Sequence, residues 1–153
     1  MLGVIDIKTI NMGMNATTKE EVLKLVSDMA FEHEIVKSKE EYFEGLINRE
    51  NEFTTGIGKG FAIPHCKSNT VNRPAVIVSK LNSEIDWQSM DEKPVNFVIA
   101  LAVPESDAGT NHLKILSQVA RCLMDDEFTD KLKEANSEDT IYNLLNEKIK
   151  GGK

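Results

Sequence analysis

A histidine placed straight after Gly56-Ile57-Gly58-Lys59-Gly60-Phe61-Ala62-Ile63-Pro64 is the first residue in this chain with chemistry to offer. His65 carries an imidazole that is nucleophilic when neutral, and it titrates near physiological pH. The glycines suit a tight turn or a close backbone approach. Phe61, Ala62 and Ile63 read as a short strand, which Pro64 ends because it cannot donate to a ladder. His65 is therefore expected where a sheet stops, the usual ligand-binding edge of an open α/β sheet. The same spacing also fits an ordinary loop histidine.

His112 is the second candidate. It stands at the start of a helix whose free N–H groups and positive dipole end favour anions. It equally fits an amphipathic residue closing the core against Leu116, Val119 and Leu123. Arg49 is the third, because a guanidinium fork matches phosphoryl oxygens. It also fits a cation favoured by a helix C-terminus. Thr54 and Thr55 could add hydroxyl donors or could simply shape a turn. His33, in Glu32-His33-Glu34, reads as charged surface. Asp91, Glu92 and Met124-Asp125-Asp126-Glu127 read as solvated or capping groups. No metal-ligand spacing, Ser-His-Asp pattern or P-loop ending is present.

These residues must be positioned by a folded domain, and 153 residues suffice for one with a real core. A strand is expected within Ile7 to Met14. Thr17 with Glu20, or Thr18 with Glu21, forms a capping box opening a helix that buries Val22, Leu25, Val26, Met29 and Ala30. Ser38-Lys39-Glu40-Glu41 opens a second, with Phe43, Leu46 and Ile47 as its stripe. Strands are expected at Ala75 to Leu81 and Val95 to Val103, the latter apolar enough to be covered on both faces. A loop over Glu105 to Thr110 leads to helices at His112 to Met124, Glu127 to Ala135 and Ser137 to Ile149. The last buries Ile141, Leu144 and Leu145. The fold class is α/β: one domain over residues 1–150, a mixed central sheet flanked by helices, with 151–153 as a flexible tail or linker start.

A net charge of −7 argues against a nucleic-acid binder. Cys66 and Cys122 lack redox or metal spacing, which suits a reducing compartment. With no signal peptide pattern and no run long enough to span a bilayer, a cytoplasmic protein is expected, alone or within a larger membrane-associated machine.

Together, Arg49-Glu50, Thr54-Thr55-Gly56-Ile57-Gly58-Lys59-Gly60-Phe61-Ala62-Ile63-Pro64-His65, Asp86-Trp87-Gln88-Ser89-Met90-Asp91 with Pro94-Val95, His112-Leu113 with Leu116, and Leu123-Met124-Asp125-Asp126-Glu127-Phe128 resemble a known family. It is the fructose/mannitol-type enzyme IIA domains of the phosphoenolpyruvate-dependent sugar phosphotransferase system. The resemblance runs from the Thr17 helix start to the last helix. It implies a phosphocarrier with a phosphohistidine at His65. The donor would be HPr. The acceptor would be a cysteine of enzyme IIB, free, fused or within a membrane IIBC complex.

The resemblance further implies attack through Nε2 with the other ring nitrogen hydrogen-bonded. His112 and Arg49 would support the phosphoryl group, with Thr54 or Thr55 adding a donor and no metal or cofactor needed. His112 is expected within reach of the same phosphoryl group. The Thr-Gly-Ile-Gly form looks closest to the fructose branch, while mannitol, galactitol and nitrogen-regulatory paralogues share the signature. Cys66 departs from the small residue often found there. Adjacent strand residues face opposite ways, so Cys66 is expected to be buried and inert. A metal-dependent hydrolase using His65 and His112 is the remaining, weaker reading.

Overall fold

A computed structural model describes residues 5–105 and 110–151, without the side chains of 110–113 and 149–151. Strand β1 (Ile5–Met14) is followed by helices α1 (Lys19–Glu32) and α2 (Lys39–Glu52). Three short strands come next: β2 (Gly56–Gly58), β3 (Phe61–Ala62) and β4 (His65–Ser68). Two long ones follow, β5 (Ala75–Ile85) and β6 (Val95–Pro104). Helices α3 (Thr110–Cys122), α4 (Asp126–Glu134) and α5 (Glu138–Gly151) complete the described chain.

The helix starts lie where their capping residues are. Thr18 Oγ1 accepts from the Glu21 N–H, and Ser38 Oγ accepts from the Glu41 N–H. Such a cap is worth about 1 kcal/mol. The return arm of the first box reaches one residue further back: Glu21 accepts from the N–H and hydroxyl of Thr17.

The sheet is mixed, in the order β1-β5-β6-β3-β2, with β4 also paired to β6. β1 and β5 are parallel, β5 and β6 antiparallel, and β3 and β4 both run parallel to β6. Strand β6 is apolar except for Asn96 because both its faces are covered. Val98, Ala100 and Ala102 face Val22, Leu23, Val26 and Leu46 of α1 and α2. Phe97, Ile99 and Leu101 face Val119, Leu132, Ile141 and Leu145 of α3 to α5. The period of two divides one strand between two cores.

Several expectations change: on α1 Leu23 is buried while Leu25 and Met29 are only partly so, as is Leu144 on α5. The glycine-rich stretch is a β-hairpin: Gly56 pairs with Ala62 and Gly58 with Phe61. Only Lys59 and Gly60 turn, both with positive φ (61° and 87°), as a two-residue type I′ loop requires. The stripe of α2 is Tyr42, Leu46 and Glu50, all buried, with Phe43 and Ile47 only partly so. Gly151 ends α5 rather than starting a tail. Gly152 and Lys153, and most of the predicted loop after Glu105, lie outside the described residues.

Candidate functional site

The sheet does not stop at His65. Pro64 interrupts the strand, but its carbonyl still accepts from the Leu101 N–H at 2.9 Å. The chain then resumes against the same neighbour, with His65 opposite Leu101 and Cys66 opposite Ala102. A proline removes one donor and no acceptor. The break therefore divides β3 from β4 without detaching either from β6. His65 opens β4 half-exposed.

Its ring is held from both ends. Nδ1 lies 2.8 Å from the Ile63 carbonyl oxygen, and Arg49 Nε is 3.2 Å from Nε2. A carbonyl only accepts and a guanidinium only donates. Together they assign one tautomer: the proton on Nδ1, the lone pair on Nε2. Burial keeps the imidazole below its ordinary value of 6.5; the bond to Ile63 and the carboxylates of Glu50 and Glu52 oppose this, and the Arg49 charge adds to it. The ring is accordingly neutral at neutral pH, the form in which Nε2 can attack.

Arg49 sits in the last turn of α2. Its Nη1 donates to the Phe53 carbonyl at 2.7 Å, which sets the plane of the guanidinium beside the imidazole. Phe53, whose carbonyl takes this bond, is the helix C-cap and is 60% exposed.

Thr54 and Thr55 do not bond the imidazole. Thr54 Oγ1 accepts from the Gly56 N–H at 3.1 Å. Thr55 is buried, and both its N–H (2.8 Å) and its hydroxyl (2.6 Å) donate to the Glu50 carboxylate. Trp87 Nε1 (3.2 Å) and Lys19 Nζ (3.4 Å) donate to the same carboxylate. Sequence reasoning assigned Glu50 and Trp87 no role of their own. The available signal was spacing: Tyr42, Leu46 and Glu50 recur every four residues, so the carboxylate continues a buried stripe and must have partners. A Cβ on Gly56 would overlap Ser89 Oγ and crowd Trp87, so glycine is what lets the hairpin lie against this cluster.

His112 lies on α3, and its side chain is outside the described residues, as is its separation from His65. Cys66 is buried, as expected, on the face opposite His65 and beneath Gly45 of α2; burial pushes its thiol up to about 11. The acidic residues expected to be solvated or capping serve the far end of the hairpin. Asp125 caps α4, while Asp126 pairs with Lys59 at 2.6 Å. Among the described residues no group of three or more His, Cys, Asp or Glu is placed to hold a metal ion. No helix among them is long and apolar enough to cross a membrane.

Residues 4–148 match the family described as phosphoenolpyruvate-dependent sugar phosphotransferase system, EIIA 2. A fructose-specific EIIA component of Haloferax volcanii is 33% identical over 146 residues, covering 95% of this chain and 94% of that one. A fructose-specific EIIABC component of Bacillus subtilis is 33% identical over 139 residues, and there the match spans only 22% of the longer protein. A nitrogen regulatory protein of Bradyrhizobium diazoefficiens is 40% identical over 103 residues, 67% of each chain. Among solved structures, the nitrogen regulatory protein IIA-Ntr of Neisseria meningitidis superposes with a TM-score of 0.86 at 26% identity, covering 93% of this chain and 96% of that one. The chain belongs to the EIIA type 2 family of the phosphoenolpyruvate-dependent sugar phosphotransferase system.

Proposed function

We propose that this domain is a cytoplasmic phosphocarrier that takes a phosphoryl group from phospho-HPr on His65 Nε2 and delivers it to a cysteine of an enzyme IIB. The observation that carries the reading is the single tautomer of His65, whose Nδ1–H is bound to Ile63 and whose Nε2 lone pair faces Arg49. The Nε2 pair forms a bond to phosphorus as the bond from phosphorus to the donor breaks, its electrons leaving with the donor. In the second transfer a thiolate of the acceptor attacks the same phosphorus, and the pair returns to Nε2. Nδ1 keeps its proton throughout.

Transfer of this kind rests on positioning and charge stabilisation. Arg49 vacates Nε2 as phosphorus arrives, and its remaining donors turn to the phosphoryl oxygens. His112 acts as a second support for those oxygens, while Thr54 and Thr55 shape the turn that carries Phe53. The domain needs no metal or cofactor. The full-length similarity to a fructose-specific component supports fructose as the sugar taken up and phosphorylated at the end of the relay.

Intact-mass spectrometry after incubation with phosphoenolpyruvate, enzyme I and HPr tests this. The wild type gains one acid-labile phosphoryl group and His65→Ala gains none. A wild type that stays unmodified beside phosphorylated HPr overturns the proposal. The similarity to nitrogen regulatory proteins favours a second reading, in which the phosphorylation state of His65 controls partner proteins. Addition of a fructose-type enzyme IIB separates the two: loss of the label to the IIB cysteine supports uptake, and retention supports regulation.

A further inference from the structure

Glu50 is a carboxylate with 4% side-chain exposure that receives donors from three separate parts of the fold. Thr55 belongs to the α2–β2 connection, Trp87 to the β5–β6 connection, and Lys19 opens α1. Every one of these groups can donate, which is the donor set an ionised carboxylate satisfies.

Thr55 bonds in two directions. Its N–H donates to the carboxylate, and its carbonyl accepts from the Ile63 N–H at 3.0 Å. The Ile63 carbonyl in turn accepts the Nδ1 proton of His65. A second route leaves the same turn. Glu50 holds Thr55, two residues on from Phe53, whose carbonyl receives Arg49 Nη1 while Arg49 Nε reaches His65 Nε2. The geometry points to Glu50 as the positioning residue for both ring nitrogens of His65, acting through the Thr55 turn. One anchor thus selects the tautomer and aims the guanidinium. The N–H and carbonyl of Thr55 belong to adjacent peptide groups joined at its Cα, as do those of Ile63, so the chain transmits position: holding Thr55 fixes where the Ile63 carbonyl lies.

Glu50→Gln removes the charge and keeps the shape. Its amide oxygen can take the donors at Oε2, and the Thr55 hydroxyl can turn to accept from the new NH2. The inference rests on His65 being the phosphoryl acceptor, yet its test does not need phosphorylation. The 15N spectrum of the His65 ring at neutral pH is expected to show the Nδ1–H tautomer alone in the wild type. In Glu50→Gln it is expected to show a mixture. The rate of phosphoryl acceptance is expected to fall by about tenfold to a hundredfold, the scale of losing near-attack alignment.

A tautomer ratio unchanged in Glu50→Gln overturns the inference whatever the rate does. A shifted ratio in a protein whose wild type never accepts phosphate overturns the carrier reading and leaves this one standing. Should Glu50→Gln fail to fold by circular dichroism, amide exchange in the wild type decides. Thr55 and Ile63 N–H protected like those of β6 support the chain, and exchange at open-loop rates removes it.

Discussion

The segment from Thr55 to Gly60 ends in two lysine–carboxylate pairs that look alike on paper and differ in consequence. At one end Lys19 meets Glu50, whose side chain is 4% exposed. At the other Lys59 meets Asp126, whose side chain is 84% exposed. The exposed pair is shorter, 2.6 Å against 3.4 Å. Length is nevertheless a poor guide to what each pair does. Water screens Asp126 and replaces Lys59 readily. Glu50 has been taken out of water, and its donors have no other partner of equal strength. The same pairing of ammonium and carboxylate therefore gives a structural node at one end of the hairpin and a surface tether at the other.

The largest expected effect breaks this contrast directly. Glu50→Ala strands the Thr55 N–H in the interior, leaves the Trp87 indole N–H only its 3.3 Å bond to Thr55 Oγ1, and should lower unfolding stability by about 3 kcal/mol. Asp126→Ala should lower the urea midpoint only slightly, far less than Glu50→Ala. Equal losses from the two variants would remove the distinction.

The next contrast uses glycines. A Cβ at Gly45 overlaps the buried Cys66 Sγ, so Gly45→Ala must push α2 off the sheet, at about 1–3 kcal/mol. Cys66→Ala opens that space, and the double variant should recover most of the loss. At the exposed end Gly58 has φ +107°, where Ala is strained by about 1–2 kcal/mol whatever the space, and the nearest atom to its Cβ, Asp91 Oδ2 at 3.2 Å, is the end of an exposed side chain that can give way. Gly58→Ala should accordingly show no rescue by Asp91→Ala. Urea titrations of all these variants measure both cycles.

The smallest effect is in pH. The folded imidazole of His65 lies below 6.5, so the unfolded chain takes up its proton first. Its contribution to stability is whole above 6.5 and is lost as pH falls through the folded value. Asp91 is held below its ordinary 3.8 by the Lys93 and Lys59 N–H groups, and Asp126 by the Lys59 ammonium. Their contribution is whole above 3.8 and is lost as pH falls through their folded values. An NMR titration of the His65 ring should give a midpoint below 6.5, and a midpoint at or above it contradicts the assignment. Asp126→Asn should alter the acid side of the stability curve and leave the His65 step unmoved.

The legible part of this molecule was whatever a local pattern specifies. The helix starts at Thr18 and Ser38 were readable because the cap and its N–H donor lie three residues apart. The double burial of β6 was readable because a strand covered on both faces has no polar alternation to show. His65 and Arg49 were readable as candidates, and the structure brings them into contact. The strand character of Gly56–Gly58 was not, because glycine reports permitted backbone and not the partner across the hairpin. Glu50 stayed hidden for a related reason. Its donors come from positions 19, 55 and 87, and nothing short of the folded sheet places Trp87 beside α2. The position of His65 inside the sheet depended on Pro64 keeping its acceptor role toward Leu101, which a rule about missing donors does not reveal.

The bond from Nδ1 to the carbonyl of Ile63 spans only two residues, and Pro64, with its restricted φ, is the residue between. Donor and acceptor are therefore cargo on one stiff three-residue segment. If the edge of the sheet breathes and β4 parts from β6, the ring and its anchor leave together and return together. The contact survives partial opening so long as the Thr55 turn keeps hold of the Ile63 N–H, so a partner that pries at this edge would still meet the imidazole in its Nδ1–H tautomer.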